Sequence, residues 1–207
     1  MFSHLQHSYL AAVVLLSPVG ATWSATAAPA DIFRSRLDQI QQALPPRFAM
    51  RLPTQILLGG PADEEFIQSL RVHVFASDTS PGLTIGLYSC GEGSPFCLIG
   101  TFAVASPNDA IVQQELKQHR AAANPIQLTP RIQGYVLDGS TKRPVSMFSS
   151  IMWQQDGFIY SVSFAEPERQ NMLYMAVSMA TGEPIYALNP TLRSRPAETT
   201  RSDSRSR

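Results

Sequence analysis

A chain of 207 residues, 44% hydrophobic and 15% charged, carries enough apolar side chain for one ordinary domain and too much for intrinsic disorder. Its sixteen prolines and twelve glycines exclude a coiled coil. Sixteen basic and sixteen acidic residues cancel overall, and residues 31–187 hold eleven Lys or Arg against fourteen Asp or Glu, so the part expected to fold has no basic face of the kind nucleic acids require.

Residues 1–30 contain no Lys, Arg, Asp or Glu, and Tyr9 to Val19 is almost wholly apolar. A membrane span needs about 20 apolar residues, whereas this length fits the core of an export signal. Ala25-Thr26-Ala27 offers an A-x-A cleavage site, and no Cys lies near it to carry a lipid. We therefore expect a signal peptide over 1–27, a single α+β domain over 28–187, and a disordered polar tail over 188–207. The mature protein is expected outside the cytoplasm, in a periplasm, a thylakoid lumen or the extracellular space, without a stable membrane span. A retained short anchor is the alternative.

Asp31 is placed to cap a helix whose apolar residues Phe33, Leu37, Ile40 and Leu44 follow helical spacing, with Pro45-Pro46 ending it. Arg47 to Leu58 reads as an edge strand or extended arm, because Pro53 cannot donate to a ladder. Pro61 to Leu70 reads as a short helix with an acidic first turn. A strand at Val72–Ala76, a strand pair at Leu83–Cys90 and Cys97–Val104, and a helix over 109–123 follow. The order then recurs as a strand at Arg131–Leu137, a hairpin at Val145–Trp153 and Phe158–Phe164, and a helix over 167–180. This predicts an antiparallel sheet with helices packed on it, and two tandem βββα units.

Cys90 and Cys97 are the sharpest local signal. If they face each other directly across their hairpin, Tyr88 opposes Ile99, Gly86 opposes Thr101 and Thr84 opposes Ala103. The other face then carries Leu83, Ile85, Leu87, Leu98, Phe102 and Val104. A one-residue slip would scatter that apolar row, so the register that joins the cysteines is also the one that builds a core. In an exported chain this predicts a structural disulfide. The gap lacks the C-x-x-C spacing of a redox pair.

In the second hairpin, parity puts Ile151 and Trp153 on one face with Tyr160, Val162 and Phe164, while Ser150, Ser161 and Ser163 take the other as solvated strand residues. Gln154-Gln155-Asp156-Gly157 contains a preferred tight-turn pair. The closing helix presents Leu173, Ala176, Val177 and Ala180 as a stripe with Met172, Met175 and Met179 beside it. So wide an apolar arc reads first as core and second as an adaptable surface for a protein partner.

No catalytic constellation stands out. Beyond the signal only His73 and His119 remain, in no metal-binding spacing, and His119 falls on the stripe Val112, Leu116, Ala123 as a packed or half-exposed residue. There is no nucleophile elbow and no phosphate-cradling loop. Glu166 and Glu168 sit where a helix N-terminus favours negative charge. We expect no cofactor, no metal and no catalytic residues.

Two stretches carry a resemblance. Gln133-Gly134-Tyr135, the run Ser150 to Tyr160 with its Trp153, Gly157 and Tyr160, and the helix end Ala176 to Ala180 are similar to a bacterial domain of unknown function found at the C-termini of exported and membrane-anchored proteins, which corresponds to residues 126–180. The region from Leu44 to Ile185 resembles uncharacterised exported proteins of cyanobacteria, through Met50-Arg51-Leu52-Pro53 and Glu168 to Ala176. Both resemblances imply an exported α+β domain and bring no activity, ligand or site residue. The expected function is a non-catalytic binding or assembly module of the cell envelope or thylakoid lumen. A hydrolase using carboxylates and a structural envelope component are the alternatives.

Overall fold

The computed structural model describes residues 28–188 except 61–63, 78, 92 and 93; the expected signal segment 1–27 and the tail after Leu188 lie outside the described residues. A 3-10 turn (Asp31–Arg36) leads into helix α1 (Leu37–Ala43), with Phe33 and Ile40 fully buried as their spacing requires. Asp31 does not cap this segment. Ala30 holds the extended N-cap conformation, so Asp31 falls one residue inside the turn, where its carboxylate pairs with Arg34 instead.

The chain continues through β1 (Ala49–Met50), α2 (Glu64–Ser69), β2 (Arg71–Ala76), β3 (Gly82–Tyr88), β4 (Leu98–Ala105) and α3 (Ala110–Ala121). It ends with β5 (Pro125–Thr129), β6 (Ile132–Leu137), β7 (Phe148–Gln155), β8 (Phe158–Ala165), α4 (Arg169–Thr181) and β9 (Ile185–Tyr186). Seven strands form one antiparallel sheet in the order β2-β3-β4-β8-β7-β6-β5, and β1 pairs separately with β9. The fold is α+β. Strand β5, which opens at Pro125, is not among the strands expected from the sequence. As the first residue of an edge strand, Pro125 loses nothing by lacking an N–H.

The two tandem units are not equivalent. The second holds four strands, and the helices lie on opposite faces of the sheet: α4 buries Met172, Met175, Ala176 and Met179 on the main core face, whereas α3 sets Leu116 against Met152 and Ile159 on the other. The main core takes the alternating residues expected of each hairpin, Leu83, Ile85 and Leu87 with Phe102 and Val104, and Ile151 and Trp153 with Tyr160, Val162 and Phe164. The second hairpin closes through a two-residue turn, Asp156-Gly157, with both residues at positive φ (52° and 81°), and Gln155 opposes Phe158. Asp156 also receives Arg51 Nη2 at 2.7 Å, while the same guanidinium donates to the Gly182 carbonyl, so the arm after β1 is tied to this turn and to the end of α4.

Cys90 and Cys97 are joined, with Cα atoms 5.7 Å apart. The register holds as expected for Gly86↔Thr101 and Thr84↔Ala103, but a bulge at Leu87/Tyr88 makes Tyr88 oppose Leu98 rather than Ile99. The 3-10 turn Pro95–Cys97 brings the chain back early and leaves one extra residue in β4. Hence Leu98 is only half-buried, and Ile99 packs against the core in its place. Replacing both cysteines with serine is expected to lower stability by about 2 kcal/mol with the fold retained, since the bond closes a ring of only about eight residues. Thiol titration and thermal melting check both halves; a double variant as stable as wild type would remove the structural role.

Candidate functional site

The face of the sheet away from α4 is half-covered. Asp109 starts α3 by accepting from the Ile111 and Val112 amides at 2.8 and 3.1 Å through one carboxylate oxygen and from the Ser80 hydroxyl through the other. The Ser80 hydrogen bond, followed by those from the helix amides, lowers the Asp109 pKa. From that start the helix lies over β6 and β7 and leaves the floor of β3 and β4 open, where Thr84, Thr101 and Ala103 are half-buried.

Two connected clefts of about 260 and 360 Å³ share Thr101, Glu115, Met152 and Ser161 in their walls, and form a trough along α3. One end is at Ser77, Ser80 and Asp109; the other is at Lys142 and Arg143. At the second end His119 is 3% exposed and Ser150 6%. The His119 Nδ1 lies 2.8 Å from the Glu115 carbonyl and Nε2 lies 2.8 Å from Ser150 Oγ. A carbonyl only accepts, so Nδ1 carries the proton and Ser150 donates to Nε2. Ser150 is therefore not a solvated strand residue: α3 covers it, and His119 supplies the acceptor that its buried hydroxyl needs. The pair fastens α3 to the sheet.

Burial pushes the His119 pKa down; the Glu115 carbonyl opposes this and the Lys142 charge adds to it. The folded protein then holds the imidazole proton more weakly than the unfolded chain does near 6.5. The resulting stability is present above that pH and is lost as the pH falls below it, because the unfolded state takes up the extra proton. Urea titrations between about pH 7.5 and about pH 5 are expected to show this slope in wild type and a reduced slope in His119→Gln. Parallel profiles would refute it.

Beyond the open floor, at the sheet edge, His73, Phe75 and Tyr88 form an aromatic ledge with centroid separations of 4.9 to 6.4 Å. The Tyr88 ring folds over Gly86, where an added Cβ would come within 2.6 Å of it. Phe75 remains 45% exposed, and Phe96 in the disulfide loop is fully exposed. His73 thus belongs to an aromatic cluster, and no group of three His, Cys, Asp or Glu able to hold a metal occurs among the described residues.

No protein-family model, curated protein or solved structure matches this chain.

The methionine face of the closing helix turns inward. Met172, Met175 and Met179 are buried because α4 is covered on two sides, by the sheet and by the arm that carries Met50, Leu52 and Ile56. That arm is held by Thr54, whose amide donates to Ser178 Oγ at 2.9 Å. Glu168 accepts from the Gly59 amide at 2.6 Å, so it fastens the end of the same arm. A larger cleft of about 620 Å³ opens beside Ala28–Ile32 and α2, but among the described residues that line it the titratable groups are Asp31, engaged by Arg34, and Glu64. Neither the trough nor the ledge was visible in the sequence: Lys142 sits in a stretch that reads as a loop, and nothing in the strand alternation shows where α3 stops.

Proposed function

We propose that the chain is an exported, non-catalytic binding or assembly module of a cell envelope or thylakoid lumen, which takes a polypeptide segment of a partner on the half-covered face of its sheet. The observation that carries this is the trough along α3: a floor bearing the Thr101 and Ser161 hydroxyls, bordered by a helix on one side and running out toward exposed aromatic residues on the other. A monomeric domain gains nothing in stability from leaving that surface uncovered. Export is supported by the signal-like segment 1–27, by the disulfide, and by the resemblance to exported proteins of cyanobacteria. No helix among the described residues is long and apolar enough to cross a membrane.

The hydrolase reading needs two free carboxylates; of the two acids that line the trough, Asp109 is occupied by the helix amides and Ser80, which leaves Glu115 alone among the described lining residues. A structural envelope component would be favoured by a large exposed apolar patch on the methionine-bearing helix, whose methionines are buried. The test is capture of partners from the protein's own exported fraction by wild type, by Thr101→Arg in the trough, and by Gln39→Arg on the exposed side of α1. Partners retained by wild type and Gln39→Arg but lost by Thr101→Arg support this surface; the same partner set on all three would overturn it.

A further inference from the structure

The Lys142 end of the trough has the chemistry of an anion site. Lys142 lies on a short 3-10 turn (Gly139–Thr141) and is held there by its own amide on the Gly139 carbonyl at 3.2 Å. The turn is itself fixed, because the Ser146 amide donates to the same carbonyl at 3.0 Å and the Gly139 amide donates to Ser149 Oγ at 3.0 Å. A side chain on Gly139 would meet the Ser146 carbonyl oxygen at 2.4 Å, so the loop is packed against β7 at backbone distance. Yet the Lys142 side chain, half-buried in the wall of the 360 Å³ cleft, makes no hydrogen bond and no ion pair at contact distance among the described residues; the Glu115 carboxylate acts on its charge from further off and does not offset the burial. A partly desolvated ammonium whose facing carboxylate does not touch it is costly, and an incoming anion relieves that cost.

The other groups around the cleft define the charge of what fits. Arg143 adds a second positive charge, though its guanidinium is turned back onto the Lys142 and Thr141 carbonyls. Glu115 places one carboxylate in the same wall, and His119 is neutral. The sum is one net positive charge, which suits a monoanion and disfavours a phosphate dianion. Thr101 and Ser161 hydroxyls, with no side-chain partner among the described residues, remain as donors on the floor. Ser163 is committed to the Ser149 carbonyl, and Ser150 to His119.

We propose that this end of the trough binds a carboxylate, with the Lys142 ammonium as counter-charge and the Thr101 and Ser161 hydroxyls as its other donors. The inference rests on the reading of the trough as a polypeptide site, and supplies that site with an anchor: the carboxylate of a chain end or of an acidic side chain.

The test is a saturation-transfer NMR titration of the full chain with three N-acetylated tetrapeptides: tetra-alanine with a free C-terminus, the same peptide amidated, and an amidated version with one alanine replaced by Asp. The free acid is expected to bind, the plain amide not. Binding of the Asp peptide assigns the carboxylate to a side chain, and its failure to bind assigns it to a chain end; both outcomes keep the site. Lys142→Met is expected to weaken binding about tenfold, with Lys142→Arg retaining it. Equal binding of acid and plain amide, no binding of either carboxylate peptide, insensitivity to Lys142→Met, or displacement by an equal concentration of inorganic phosphate would overturn the proposal. Insensitivity to Lys142→Met, combined with partner loss in Thr101→Arg, would remove the carboxylate anchor and leave the partner surface standing. Lys142-dependent binding with unchanged partner capture would remove the partner surface and leave the anchor.

Discussion

Replacing Trp153 with alanine is expected to destabilise the protein by about 3–5 kcal/mol, among the largest effects of any single side chain here. The indole is fully buried on the main core face and stacks on Tyr160, with ring centroids 5.5 Å apart and planes 17° from parallel. Its Nε1 donates to Gln155 Oε1 at 3.1 Å, and Gln155 in turn donates to the Ala180 carbonyl at 3.0 Å. Truncation therefore opens a cavity and also frees the group that joins the second hairpin to the end of α4. Tyr160 would lose its stacking partner while keeping the 2.8 Å hydrogen bond from its hydroxyl to the Ala49 carbonyl. Trp153→Phe should recover much of the loss, because it restores ring volume without the Nε1 donor. Chemical denaturation of the two variants decides the matter; an alanine variant within about 1 kcal/mol of wild type would mean that the site collapses without a cavity.

Gly100→Ala is the second large effect, and its cause is a collision rather than a void. An added Cβ at this position in β4 would lie 2.4 to 2.5 Å from three atoms of the Phe164 ring. Phe164 has no room to turn aside: it is fully buried on β8, the neighbouring strand, and meets Phe102 edge-on at 5.5 Å. Overpacking of this kind costs on the order of 3 kcal/mol. The decisive measurement is a double-mutant cycle. Phe164→Leu alone should destabilise by leaving a gap, yet Gly100→Ala combined with Phe164→Leu should cost clearly less than the two single changes added together, since the new methyl fills space that the ring vacated. Strict additivity would show that the two positions do not compete for one volume.

Those two positions differ in how far the sequence announces them. Trp153 is legible: alternation within the hairpin puts it with Ile151, Tyr160, Val162 and Phe164, and the structure buries that set together. Gly100 is not legible: it keeps the expected register opposite Leu87, just before the bulge at Leu87/Tyr88, and its role comes from standing opposite Phe164 of β8, whose ring lies over it. The same bulge separates the correct half of the disulfide register from the incorrect half. Thr84 and Gly86 find their expected partners, and the shift begins where the 3-10 turn before Cys97 takes up the chain. Pairing near a loop follows loop geometry, which spacing between two cysteines does not encode.

Taken alone, the sequence determined the antiparallel pairing of the two hairpins, the α+β class and, outside the bulged start of β4, the residues of these hairpins that share each face, because period-two alternation and an Asp-Gly turn are local properties of a strand pair. What covers each face is a different kind of fact, and only the tertiary structure decided it. Ser150 reads as solvated until α3 lies over it and His119 accepts its hydroxyl. The α4 methionines read first as core and second as an adaptable surface, and it is the arm from β1, closing over their second side, that buries them. Lys142 carries no signal in the sequence, and only the fold half-buries it in the wall of the cleft that Thr101 and Ser161 also line. His119 and Ser150 stand 31 positions apart, and Thr54 and Ser178, which join the arm to α4, stand 124 apart; alternation along one strand carries no information about which distant element packs against it.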